Sequence, residues 1–248
     1  MTRHRRTALI TGSGKNIGRA IALDLAGKGH NVVLNGSRDK AACETVAQEV
    51  KKHGVEALVA MGDVGIAGDC ARIAGEALDK FGTVDVLVNN AAIRPMTPFL
   101  EMDEAEWDRV IAVDMSAAFW LARACLPGMI DQNWGRIVNI AGMNSIQGYN
   151  GRAHVSVAKH GAWGLTKSLA KEFGDRGISA NIVSPGPIAG EHRDDPGMAA
   201  HIEAQKSKIP LRRLGLPGEI AAAVSLLASD EGAFINGQLI QVNGGTQT

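Results

Sequence analysis

The sequence predicts a doubly wound α/β fold, one parallel sheet of about seven strands with helices on both faces, built as a single domain over residues 1–248. Three observations carry this. Short β-branched runs alternate with longer stretches of helical period along the whole chain. Several runs are apolar on both faces, Val32-Val33-Leu34 and Val86-Leu87-Val88 among them, as expected of strands covered by helices on both sides. A glycine-rich turn follows the first run and opens the first helical stretch.

In chain order, the first strand is expected over Ala8–Thr11 and the first helix over Ile17–Lys28, where Ile21, Leu25 and Lys28 fall at helical spacing and Gly29 supplies a stop. Strand Asn31–Asn35 and helix Lys40–Lys52 follow, then strand Glu56–Met61 and helix Ala67–Lys80. Strand Val84–Asn89 leads into a long helix, Glu104–Met129, and strand Arg136–Ala141 into helix Val155–Asp175. Strand Ser179–Ser184, helix Glu219–Leu227 and strand Gln238–Val242 complete the pattern. Crossovers between such strands are right-handed, and ligands of such sheets sit beyond the carboxyl ends of the strands. The motifs below all fall at those ends, which points to one site.

The chain is 45% hydrophobic, enough for a sizeable core, and its 26 Lys and Arg balance 26 Asp and Glu. With no net field to recruit nucleic acid or an anionic membrane, the expected partner is a small-molecule substrate. Cys43, Cys70 and Cys125 are scattered and form no C-x-x-C, which argues against a disulfide framework and a metal site and fits a reducing compartment. The basic start Met1–Arg6 is followed by an apolar run of only Thr7–Ile10, too short for a signal peptide. No stretch approaches the roughly 20 apolar residues of a membrane span, so a cytoplasmic protein is expected.

The turn Thr11-Gly12-Ser13-Gly14-Lys15-Asn16-Ile17-Gly18 lets the backbone approach a pyrophosphate whose charge the following helix N-terminus stabilises. The spacing of Gly12, Asn16 and Gly18 departs from the strict G-x-G-x-x-G pattern, and glycine also serves ordinary strand–helix turns. Its place in a β-α-β unit marks it as a dinucleotide site, with Ser13, Lys15, Asn16 and Ile17 beside the glycines. The second strand ends Asn35-Gly36-Ser37-Arg38, where an acidic residue would hold an adenosine ribose 2′-hydroxyl. Arg38 and Lys15 instead suit a 2′-phosphate, with Ser37 alongside, which favours NADP(H) over NAD(H). Plain solvated charge is the alternative for both cations, and Asp39 is the alternative candidate for the acid.

Further motifs run nearly end to end: Asp63-Val64, Asn89-Asn90-Ala91-Ala92, Arg136-Ile137-Val138-Asn139-Ile140, Lys159, Asn181 to Pro185-Gly186, Pro217-Gly218-Glu219-Ile220-Ala221 and Val242-Asn243-Gly244-Gly245. With these in order the chain resembles the short-chain dehydrogenases/reductases, and among them the 3-oxoacyl-acyl-carrier-protein reductase type. The resemblance implies a Rossmann-type sheet, an NAD(P)(H)-dependent oxidoreductase and a homo-oligomer, tetramer or dimer, built through the two long helices and the C-terminal strand. It implies that Asp63 and Val64 hold the adenine, that Asn89 and Ala91 line the cofactor channel, and that Pro185, Gly186 and Ile188 lie beside the nicotinamide. Asn89 also suits a buried amide tying neighbouring strands.

The resemblance fails at the chemistry. It implies a tyrosine four residues before Lys159, a serine thirteen residues before that tyrosine, and an asparagine on the preceding helix; these positions hold Val155, Gly142 and Asp114. In the family the tyrosine exchanges a proton with the substrate oxygen, and the lysine lowers the phenol's pKa and holds the nicotinamide ribose. The threonine often found after the Pro-Gly motif is also replaced, around Ala189-Gly190. Only Lys159 survives.

Among substitutes, Tyr149 is the sole tyrosine and lies in the loop before the Lys159 helix, where it equally fits a residue packed over the pocket mouth. His154 has a suitable unperturbed pKa, but adjacent helical residues point about 100° apart, so it does not simply replace a phenol at 155. Ser145 and Ser156 are poor acids. Asp114 either pairs with Lys159 or satisfies backbone amides. The expected function is a divergent oxidoreductase acting on a small carbonyl or alcohol with a noncanonical proton donor. A catalytically inactive nucleotide-binding sensor or scaffold, and a lyase or isomerase in the same pocket, are the alternatives. Glu191–Lys208 is expected to cover the substrate.

Overall fold

Seven strands, all parallel, lie in the order β3-β2-β1-β4-β5-β6-β7. The computed structural model describes residues 5–190, 203–204 and 206–248, so most of the expected substrate cover, Glu191–Lys208, lies outside the described residues. The strands are β1 (Thr7–Ile10), β2 (Asn31–Leu34), β3 (Ala57–Val59), β4 (Val86–Asn89), β5 (Gly135–Ile140), β6 (Ile178–Pro185) and β7 (Leu239–Val242). The helices are α1 (Asn16–Gly27), α2 (Lys40–Lys51), α3 (Ala67–Phe81), α4 (Glu104–Ile111), α5 (Ala117–Asp131), α6 (Ala153–Glu172) and α7 (Pro217–Leu227).

The continuous apolar runs are explained by two cores. Along each strand alternate residues feed opposite faces. Ala8, Ile10, Val32, Leu34, Val86 and Val88 pack with residues of α1, α2 and α7, whereas Leu9, Val33 and Leu87 pack with residues of α3 and α5. Order reverses between β1 and β4, and the crevice this leaves at the carboxyl ends is where an open α/β sheet takes its ligand.

Two elements differ from the sequence expectation. The third strand stops at Val59 instead of Met61, although the N–H groups of Ala60 and Gly62 still donate to the carbonyls of Leu34 and Gly36 (2.9 Å each), and Asn35 Nδ2 donates to the carbonyls of Ala60 and Gly62 (3.0 and 3.1 Å). The single long helix expected from Glu104 is two helices joined by a wide π-type turn, Ala112–Ser116. Contrary to expectation too, the helical run 104–131 is long and apolar enough to cross a membrane by length and composition, although 50% of its most apolar window is packed inside the fold.

The crevice is held by two side chains, Thr11 and Asn90. Thr11, buried at the end of β1, accepts from the backbone N–H of both Asn90 and Ala91 through its Oγ1 (2.9 Å each). Asn90 returns two bonds from its Nδ2 to the carbonyls of Thr11 (2.9 Å) and Gly12 (3.0 Å). Thr11→Val keeps the shape and removes the acceptor from two amides. The expected loss is about 2 kcal/mol or more in urea denaturation, with Thr11→Ser retaining at least half of it.

Candidate active site

The glycine-rich turn is built as a cradle. Gly12 (φ +61°) and Asn16 (φ +49°) take left-handed backbone, and a Cβ on Gly18 would run into the carbonyl of Gly12 and approach Asn90 Nδ2 at 2.7 Å. Lys15, extended and exposed, precedes α1 without capping its first amides by a side chain, and Ile17 packs against the core. Ser13 is not turned to a ligand. It is fully buried, and its hydroxyl is bound to Asn35, accepting from the backbone N–H (3.0 Å) and donating to the carbonyl (3.3 Å).

At the end of β2, Ser37 and Arg38 are exposed, and among the described residues neither Arg38 nor Lys15 has a partner. Asp39 caps α2, its Oδ1 accepting from the N–H of Ala42 (2.9 Å). Asp63, after β3, is more tightly engaged than its sequence suggests. One carboxylate oxygen accepts from Arg109 (2.6 Å) and the other from the N–H of Gly65 (2.9 Å), while the Val64 side chain is buried in the core. Arg109 was not legible as a site residue, because its partner lies 46 positions away.

Behind the crevice runs a chain of amides. Asn89 donates from Nδ2 to Asn139 Oδ1 (2.8 Å), Asn139 donates to Thr166 Oγ1 (2.8 Å), and Thr166 donates to the carbonyl of Ala162 (2.7 Å). Asn89 and Asn139 are register partners on β4 and β5, so the amide does tie strands. Its Oδ1 is left buried without a partner.

Asn89 lines a small cavity of about 10 Å³ whose walls also include Thr11, Ala91, Asp114, Asn139 and Lys159. The Lys159 side chain is 3% exposed and that of Asp114 fully buried, and Nζ stands 3.1 Å from Asp114 Oδ2. Nζ also donates to the carbonyl of Ile140 (3.2 Å), and Asp114 Oδ1 accepts from the N–H of Ile93 (2.8 Å). Both sequence alternatives for Asp114 therefore hold together. The π-type turn aims it, as such turns recur where function needs an altered side-chain direction. Burial pushes the Lys159 ammonium below its ordinary pKa, against the Asp114 carboxylate, which pulls it up.

The tyrosine position is sealed. Val155 is buried with Val110 and Ala158, flanked by Ile93, Ile111 and Met115. His154, also fully buried, faces α4: its Nε2 is 3.0 Å from Glu106 Oε1, and its Nδ1 accepts from the N–H of Val155 (2.9 Å). It is a helix-packing residue and leaves the set of candidate proton donors, as the turn of about 100° between neighbours requires. Gly142 has open space at its Cβ position but holds φ +146°. Ser145 is spent on the carbonyl of Gly142 (2.7 Å) and Ser156 accepts from Asn144 (3.3 Å). Tyr149 is half-buried on the same loop, its hydroxyl accepting from Gln147 Nε2 (2.7 Å). On the far wall, Pro185 ends β6, Gly186 lies so close to Asn243 that a Cβ would press its Cα at 2.6 Å, and Ile188 pairs with Gly215.

A family model described as enoyl-(acyl carrier protein) reductase matches residues 12–247. A 3-oxoacyl-[acyl-carrier-protein] reductase FabG of Staphylococcus aureus is 38% identical over 241 residues, 97% of each chain. Nodulation protein G of Azospirillum brasilense is 36% identical over 244 residues, 97% of this chain and 98% of its own. The crystal structure of acetoin dehydrogenase YohF from Salmonella typhimurium superimposes with a TM-score of 0.90 at 31% identity, covering 98% of this chain and 96% of that one.

Removing one member of the Lys159–Asp114 pair leaves an uncompensated buried charge. Asp114→Ala is expected to cost about 3–5 kcal/mol in equilibrium denaturation, and Lys159→Met in the same background to recover most of it. With its folded pKa depressed, Lys159 binds fewer protons folded than unfolded between that value and 10.5. Stability from this group therefore rises with pH through that window. Because the carboxylate opposes the depression, the rise should span a wider pH range in Asp114→Ala than in the parent, as a pH series of denaturation curves would show.

Proposed function

The chain belongs to the short-chain dehydrogenase/reductase family of oxidoreductases, and on that premise we propose that it is an NADP(H)-linked enzyme of small carbonyl or alcohol compounds that works without the family's phenolic acid. The observation that carries the reading is the hydrogen-bond inventory of the cavity. The Lys159 ammonium donates to the carbonyl of Ile140 and lies 3.1 Å from Asp114 Oδ2 as an ion pair, and Asn89 Oδ1 is an acceptor without a donor. One donor and one acceptor in the same small cavity complement a hydroxyl group, which both accepts and donates.

The cradle fits the rest of a dinucleotide. The glycine turn and the uncapped start of α1 would take the pyrophosphate, Arg38 and Lys15 a 2′-phosphate, Lys159 and Asn89 the nicotinamide ribose, and Pro185, Gly186 and Ile188 would bound the nicotinamide. Bound there, the cofactor supplies or accepts a hydride. Loss of a general acid forfeits about 10²–10⁴-fold in rate. Activated double bonds and iminium ions, which need little protonation, suit this site better than the plain carbonyls that the relatives' names, 3-oxoacyl and acetoin, denote.

The sealing of Val155 favours a second reading, a nucleotide-binding protein without turnover. In either case a homo-oligomer is proposed, supported by exposed Phe119 and Val157 on the two long helices and Phe234 and Leu226 near α7.

NADPH should bind at least tenfold tighter than NADH, a difference of about 1.4 kcal/mol by fluorescence titration, and Arg38→Asp should reverse the preference. Equal affinities in the parent would remove the 2′-phosphate site. Val155→Tyr adds bulk to a filled cluster and should cost about 1–3 kcal/mol of stability. Combined with Gly142→Ser, for which space exists but the backbone must rotate, it should raise ketone reduction by more than the two single changes together. Strictly additive effects would show that the two positions do not meet on one substrate oxygen.

A further inference from the structure

The sole tyrosine ends a chain of three side chains that the dinucleotide site does not use. Gln247, near the C-terminus, donates from Nε2 to Gln147 Oε1 (2.7 Å), and Gln147 Nε2 donates to the Tyr149 hydroxyl (2.7 Å). The tail is anchored by Asn243, whose Nδ2 donates to the carbonyl of Gln247 (2.8 Å) and whose Oδ1 accepts from the N–H of Gly245 (3.0 Å). The loop is pinned as well: the N–H of Arg152 donates to the carbonyl of Tyr149 (3.1 Å), and that of Thr97 to the carbonyl of Gly151 (2.9 Å).

A primary amide has a donor end and an acceptor end, so its orientation at one residue dictates the next. With the tail donating into Gln147 Oε1, the Gln147 NH₂ faces the phenol. The phenol oxygen accepts, and its own hydrogen is left to point away from the chain. No described residue accepts that hydrogen, and Tyr149 stands on the loop between the carboxyl end of β5 and the helix of Lys159.

We infer that Gln247 and Gln147 are positioning residues that hold Tyr149 as a hydrogen-bond donor to a substrate oxygen, so that the tail of the chain sets the polarity of the substrate pocket. The inference rests on the oxidoreductase reading only for the nature of the acceptor, a carbonyl or hydroxyl oxygen.

Charge-state variants test the polarity, since glutamate only accepts and lysine only donates. In Gln247→Glu the carboxylate takes the Gln147 NH₂, turns Oε1 towards the phenol and draws the phenolic hydrogen inward. Gln147→Glu does so directly, and Gln247→Lys preserves the native polarity. With [¹³Cζ]tyrosine labelling, the single tyrosine gives one resonance that distinguishes a donating from an accepting phenol. Both glutamate variants should move it in the same direction, and Gln247→Lys should leave it in place. With NADPH and butane-2,3-dione as the probe, Gln247→Glu should lower kcat/KM about tenfold, as Tyr149→Phe does, with NADPH affinity within twofold of the parent. A resonance that ignores Gln247→Glu, or moves alike with glutamate and lysine, overturns the inference, as does a Tyr149→Phe variant of full activity. If the resonance follows the polarity but the parent oxidises no NADPH, the relay stands and the redox reading falls.

Discussion

A parallel sheet wound in both directions from one central strand must open where the order reverses, and most of the site follows from how that opening is held. The chain leaves β1 for one face and β4 for the other, so the amides of Asn90 and Ala91 have no ladder to join. The Thr11 hydroxyl takes both, and Asn90 reaches back to the carbonyls of Thr11 and Gly12. The crevice is thus fixed from within, in part by Thr11, which also forms part of its wall. The glycine turn can then present its backbone, and Ser13 is free to serve as a strut to β2.

The second determinant is electrostatic. A lysine at 3% exposure needs a counter-charge, because the cost of desolvating an ammonium exceeds what backbone carbonyls return. In the family the resemblance implies, the lysine's charge acts on a phenol and its neighbour on the next helix is a neutral amide. Here the phenol is a valine and the amide a carboxylate. On the proposed reading the two changes belong together: with Val155 in place of a phenol there is no phenol for the charge to tune, and a carboxylate at 3.1 Å balances it.

The sheet was legible because its strands are buried on both faces and its helices keep their period, which are local signals. The cofactor cradle was legible for the same reason, as a contiguous turn. What escaped was whatever depends on a partner far along the chain. Arg109 on Asp63, Thr166 behind Asn139 and Gln247 on Gln147 each join positions 27 to 100 residues apart and carry no mark in sequence. Ser13 and His154 could not be placed from position alone, since a turn serine and a helix-start histidine look the same whether they face a ligand or, as here, a neighbouring strand and Glu106. The π-type turn at Ala112–Ser116 was unreadable because its apolar period differs by only one residue from that of a continuous helix.

On the reading proposed above, the substitutions at 114 and 155 act on the same property of a substrate, its charge. A free ammonium next to the reacting carbon repels a cation, and a phenolic acid is needed only where an oxygen must gain a proton. Pairing Lys159 with Asp114 removes the repulsion, and Val155 replaces the acid by an apolar wall with Ile93 and Met115. An iminium ion brings its own positive charge and accepts hydride without a proton. A Tyr149 donor at the loop, away from the tyrosine position, then orients a polar substituent and does not activate the reacting bond. On that reading the loss of the family's acid and the gain of a carboxylate act together, turning a site that protonates into one that tolerates positive charge.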